Sequence, residues 1–143
     1  MISLNHVLAG TAIGLALKDP LIIAPVAFIS HFVLDAIPHF SYSWPGWKFR
    51  TIWALDAVAS TAALALLCIA EPSLALAIII GGVCAELPDV FWLYEHLIIR
   101  AKSSMWYFRF HRTIQWSETR RGLFYELGYL AILICINIAL LNS

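Results

Sequence analysis

The chain has 143 residues, of which 62% are hydrophobic and only 13% charged, and its mean hydropathy is +0.82. An average soluble domain is about 45–50% apolar and about 25% charged, and a domain this small cannot hide such an excess because much of its surface stays outside. Composition therefore excludes a water-soluble globule and leaves lipid as the solvent. The formal net charge of zero says nothing about nucleic acid, and the length suits one domain, 1–143.

The expected fold is all-α: a polytopic membrane bundle of about five transmembrane helices with a cytoplasmic interfacial segment. Each apolar stretch approaches the ~20 residues that cross a bilayer. The first runs from about Ser3 to Leu17 and closes at Lys18-Asp19-Pro20. The residues before it carry no basic n-region, and no Ala-x-Ala site precedes Lys18, so a cleaved signal peptide is not expected. The second covers about Leu21 to Ile37 and ends at Pro38. Both are short, so tilt or local thinning must help them span.

After Pro38 comes an aromatic and basic stretch, Phe40 to Arg50, with Trp44, Trp47, Lys48 and Arg50, the composition of a membrane–water interface. The third span covers about Thr51 to Ala70. The fourth starts near Ser73 and reaches Leu87, where Pro88 should kink or break it. Tyr94 to Arg121 is the most polar segment. It mixes Arg100, Lys102, Arg109, Arg112, Arg120 and Arg121 with Trp106, Tyr107, Phe108, Phe110 and Trp116, as for a segment snorkelling into anionic headgroups. The fifth span covers about Leu123 to Leu141.

Basic residues set the orientation. With five spans, eight of them share the side of the 38–50 and 96–121 loops, and Lys18 alone is opposite. The positive-inside rule then places the N-terminus in the cytoplasm and the C-terminus outside.

The ionisable residues fall on that same side. His6 opens the first span, His31 and Asp35 close the second, and His39 follows. Asp56 is early in the third, Glu86 and Asp89 flank Pro88, His111 is in the loop, and Glu126 begins the fifth. An ionisable group in a span costs several kcal/mol and is normally paired or functional. In His31-x-x-x-Asp35-x-x-x-His39 the three residues share a helical face, and imidazole with carboxylate is a donor set for zinc, manganese or iron. Glu86-Leu-Pro-Asp89 adds two carboxylates. Glu126 is read as a ligand or as the partner of a loop arginine, and Glu95-His96 as a solvated or interfacial pair rather than as ligands.

A repeat frame of fifty residues relates His6 to Asp56 and Pro38-His39 to Pro88-Asp89, with Ala9-x-Thr11-Ala12 matching Ala59-x-Thr61-Ala62. It suggests a hairpin repeat, 1–50 and 51–100, supplying ligands twice over. Gly10-x-x-x-Gly14 and Gly81-Gly82 are expected to serve close helix packing. Cys68, Cys84 and Cys135 lie singly in apolar runs and read as small buried hydrophobes. Nucleophile motifs and phosphate-binding glycine loops are absent from the sequence.

The motifs Asn5-His6-x-x-x-Gly10, Ser30-His31-x-x-x-Asp35-x-x-Pro38-His39 and Glu86-Leu-Pro-Asp89 resemble the YdjM-like inner-membrane metal-dependent hydrolases. That group is similar in turn to the zinc-dependent phospholipase C and single-strand nuclease superfamily. Of the His-Arg-Gly-x-Thr-His-Ser stretch common in the group, this chain has only His111-Arg112-Thr113, and the glycine and second histidine are missing. The resemblance implies a hydrolase, and the residues make it a membrane-embedded one holding one or two divalent ions, zinc foremost. Metal ligands are expected at His6, His31, Asp35, His39, Asp56, Asp89 and His111. Glu86 is the expected proton acceptor, and Arg112, with Arg109, the partner of an anionic phosphoester or phospholipid. The alternative is a metal-binding protein without catalysis, or a metal or proton transporter. Transport requires polar groups across the whole bilayer depth, and the outer halves of the spans are aliphatic.

Overall fold

A computed structural model of the protein describes residues 1–40, 46–95, 105–119 and 121–143. Among them are six α-helices: α1 (Ser3–Leu17), α2 (Pro20–Ala36), α3 (Gly46–Ala70), α4 (Ala75–Tyr94), α5 (Trp106–Ile114) and α6 (Gly122–Leu141). A 3₁₀ turn, Pro72–Leu74, leads into α4. Two residue-long strands, β1 (His39–Phe40) and β2 (Glu118–Thr119), pair in parallel.

The bundle is organised around α1, whose residues are buried on nearly every side. Its N-terminal end lies beside the end of α2 and inside the start of α3, because the Met1 amine reaches Asp35 and the Ser3 amide reaches Asp56. It runs antiparallel to α4, with Gly10 against Gly81 and Gly14 against Ala77. It runs parallel to α6, where Asn5 bonds the Glu126 carbonyl and Thr11 bonds Asn137. No side chain at Gly10 or Gly81 could fit: a Cβ would stand 2.1 and 2.0 Å from the facing carbonyl oxygen. The glycines thus serve close packing, as expected.

The outer helices are inside-out. Only 6% of the most apolar stretch of α3 and 11% of that of α6 is buried, while Leu66, Ile69, Phe124 and Ile138 face outward. Three helical segments, Arg50–Ala70, Pro72–Tyr94 and Gly122–Leu141, are long and apolar enough to cross a membrane. α1 and α2 are apolar but have 15 and 17 residues.

Some expectations are corrected. Pro88 does not end the fourth helix, which continues to Tyr94. Proline removes one backbone donor and crowds the carbonyl four residues earlier, but a helix packed on both α1 and α2 tolerates that. The third helix begins at Gly46, five residues early, and carries Lys48 and Arg50 in its first turns. None of the cysteines is buried. Cys68 and Cys84 are half-buried and Cys135 is exposed, because an apolar exterior asks no burial of a thiol. Part of the polar segment is a short amphipathic helix, α5. It turns Phe108 and His111 inward and leaves Trp106 exposed. Trp44, His96, Arg100, Lys102 and Arg120 lie outside the described residues.

Candidate metal centre

The site forms where α2 ends. His31 and Asp35 are one turn apart on α2 and completely buried. α4 brings Asp89 to them and α5 brings His111. Asp35 Oδ2 is 3.2 Å from His31 Nε2 and 3.1 Å from His111 Nε2. The two Nε2 atoms are 3.2 Å apart. Asp89 Oδ1 stands 3.7 Å from the first and 3.8 Å from the second.

These distances fit a cation. Tetrahedral zinc with bonds of about 2.0–2.1 Å sets neighbouring donors ~3.3 Å apart. Five of the six separations lie between 3.1 and 3.8 Å, and all four donors fall within 4.8 Å of one another. The ring of His31 is already turned for the task. Its Nδ1–H donates to the Ala85 carbonyl at 2.8 Å, which leaves the Nε2 lone pair facing the centre, the arrangement that orients metal-ligating histidines. Two imidazole nitrogens facing each other at 3.2 Å are both acceptors and lack a donor between them unless one is protonated, whereas a cation would satisfy both. His31, Asp35, Asp89 and His111 can therefore hold a metal ion.

His6 sits behind this group. Its ring stacks on His31 with centroids 4.0 Å apart, and its Nε2 is 3.2 Å from the other Asp35 oxygen, Oδ1. Both His6 nitrogens are buried and lack a hydrogen-bond partner of good geometry among the described residues. The Met1 amine also lies on Oδ1, at 3.0 Å. Burial alone would lower that amine's pKa, but Asp35, then Asp89 and Glu126, hold it above the ordinary 8.0. Asp35 is thus the hub, one oxygen facing the donor group and the other facing His6 and the amine.

The remaining expected site residues have other work. His39 is buried, but its Nδ1–H donates to Ile37 and its Nε2 is 3.6 Å from Glu118 Oε1. Asp56 accepts the Ser3 and Leu4 amides at 2.7 and 3.1 Å, capping α1 from α3. Glu126 accepts the Ile2 and Phe40 amides, both at 3.2 Å, and so tethers the chain start and β1. Arg112 forms a two-pronged pair with Glu95, both bonds 3.0 Å, and Glu95 is buried rather than solvated. Glu86 has one buried oxygen, Oε2, without a hydrogen-bond partner among the described residues.

Two residues carried no signal in the sequence. Gln115 donates to Asp35 Oδ2 at 3.3 Å. Tyr107 donates to the Pro88 carbonyl at 3.0 Å and stacks against His111 at 6.1 Å, tying α5 to α4 beside the site. Burial, then Asp89 and Asp35, push its phenol above the ordinary value, so it stays a donor.

A cavity of about 200 Å³ adjoins the donor group, lined by Asp56, Glu86, Asp89, Gln115 and Glu118 among others. Four carboxylates stand around this hollow. Comparison of the chain with protein-family models, curated proteins and solved structures finds no match.

Proposed function

We propose that the protein is a membrane-embedded, metal-dependent hydrolase acting on a phosphoester at the cytoplasmic headgroup layer. The observation carrying this reading is the donor set of His31, Asp35, Asp89 and His111 beside an acidic cavity. His31, Asp35 and His111 stand 3.1–3.2 Å from one another, while Asp89 is farther, at 3.7 and 3.8 Å, and lines the cavity. Three close ligands with a fourth position turned to the cavity suit a catalytic site. Zinc is the best match to two imidazoles and two carboxylates, and the YdjM-like resemblance of the motifs points the same way.

When bound, the cation supplies Lewis acidity and a water of lowered pKa. The chain's own groups do the rest. Asp35 and the Ala85 carbonyl orient the imidazoles. Glu86, at the edge of the same cavity with an oxygen to spare, accepts the proton. Arg112 is held by Glu95 in a two-pronged pair, which leaves Arg109, exposed on α5, as the cation of that helix for a phosphate.

In this reading α1 and α2 span with the three longer helices, giving five spans in the inner membrane, the N-terminus cytoplasmic and the C-terminus outside. The described basic residues apart from Lys18 support it, since they sit at the end of the bundle that holds the site. The transport alternative is weakened by Thr11 and Asn137. These buried polar groups below the site satisfy one another and the Leu8 carbonyl rather than lining a path.

The test is elemental analysis of detergent-purified protein, wild type beside His31→Ala and Asp35→Ala, followed by a phosphodiester panel. Stoichiometric zinc in wild type, lost in both variants, and metal-dependent turnover are expected. Protein purified without chelator that carries no metal sinks the reading, and metal without turnover on any phosphodiester reduces it to a binding protein.

A further inference from the structure

Beside the acidic cavity lies a second, larger hollow of about 330 Å³ between α1, α3 and α4. Its walls are mostly apolar, with Val7, Leu64, Val83, Leu87 and Val90 facing it. The two hollows adjoin, since Ser3, Trp53 and Glu86 line both. From Trp53 the cleft follows α3 to Leu64, eleven residues or about 16 Å along the helix. Its mouth opens outward between α3 and α4, where Val83 and Val90 are half exposed. Gly82 forms part of the floor, and a Cβ there would stand 2.9 Å from Leu64 Cδ1, so a larger residue would narrow the cleft.

We propose that this cleft holds the acyl chain of a membrane phospholipid whose phosphodiester reaches the donor group of His31, Asp35, Asp89 and His111. The inference rests on the hydrolase reading above and adds the substrate class. Size selects the occupant. A helix with its side chains is about 10 Å across, too broad to enter between the packed helices α3 and α4, whereas an extended alkyl chain is slender enough. Polarity selects it too. One end of the cleft meets a hollow lined by carboxylates beside the donor group, and the other is aliphatic and open to hydrocarbon, which suits a molecule with a polar head and an apolar chain. Glu86 marks the junction.

The experiment uses zinc-loaded full-length protein in phosphatidylcholine–phosphatidylglycerol vesicles that contain a phospholipid with a photoreactive diazirine on one acyl chain. After irradiation, adducts are mapped by mass spectrometry and zinc is measured on the same samples. Leu64 and Leu87 should be labelled severalfold more than Leu127 and Ile132 of α6, although the α6 pair is the more exposed to lipid. Val83→Trp at the mouth should remove most of the cleft label and leave the α6 label and the zinc unchanged; Thr61→Trp on the facing wall serves if that variant misfolds. Cleft label no higher than that of α6, label indifferent to a tryptophan at the mouth, or protein–protein crosslinks there in place of lipid adducts would overturn the proposal. Cleft label with no zinc in wild type would sink the hydrolase reading while upholding the chain site.

Discussion

Gly10 of α1 and Gly81 of α4 touch backbone to backbone, each occupying the space the other's side chain would need. This contact sets the spacing of the helices that carry His6 on one side and Ala85 and Asp89 on the other. Overpacking a close contact costs about 1–3 kcal/mol. Gly81→Ala and Gly10→Ala should each destabilise the protein by that order, and Gly81→Ala should also weaken metal binding by shifting the Ala85 carbonyl away from His31. Unfolding in mixed micelles and metal titration measure the two effects. Unchanged stability in both variants would show that the helices have room to part.

Asp35, completely buried, holds five cationic or donor groups: the Met1 amine, His6, His31, His111 and Gln115. Removing one member of a buried ion pair costs about 3–5 kcal/mol, because its partners are left uncompensated. Asp35→Ala should therefore lower the stability of the metal-free protein by roughly that amount. Asp35→Asn keeps the shape and some hydrogen bonds and should lose less, yet it too should fail to hold metal. An Asp35→Ala protein as stable as wild type without metal would mean that the imidazoles simply turn away.

Asp56 resembles a ligand in sequence and behaves as a cap. Its two oxygens are spent on the amides of Ser3 and Leu4, orphan donors at the start of α1. Losing a capping side chain costs about 0.5–2 kcal/mol. Asp56→Ala should pay that in stability and retain stoichiometric zinc. Loss of the metal without loss of stability would return Asp56 to the ligand set.

Much of this was legible because depth in a membrane can be read from position along a helix. His6, His31, Asp35, Asp89 and His111 do converge at one level, and the i, i+4 spacing of His31 and Asp35 does put both on one face. The direction each residue takes around its helix axis was less legible. His39 follows the end of α2, so the periodicity that aligned it with Asp35 no longer applied, and the β1–β2 pairing carries it to Glu118. Asp56 and Glu126 were claimed by backbone amides of distant segments, and no local pattern announces such amides. The roles of Tyr107 and Gln115 arise only once α5 folds back over α4.

Tyr107 offers the most specific check on that folded-back segment. Its hydroxyl donates to the Pro88 carbonyl, and its ring lies almost parallel to His111, 12° off. Tyr107→Phe removes one hydrogen bond, worth about 0.5–1.5 kcal/mol net, and keeps the ring contact. Its metal affinity should fall only slightly. Tyr107→Ala also removes the ring that supports His111, and its metal affinity should fall much further. The pH dependence follows from the raised phenol pKa. The neutral form is favoured in the folded protein, so its contribution is complete below the ordinary value of 10.0. Above that value the unfolded chain ionises first, and the contribution is lost as pH rises towards the folded value. The stability advantage of wild type over Tyr107→Phe should therefore be constant from neutral pH to about 10 and shrink beyond it. Denaturation measured at stepped alkaline pH reads this directly, and an advantage that persists undiminished would mean that the phenol is not held beside Pro88.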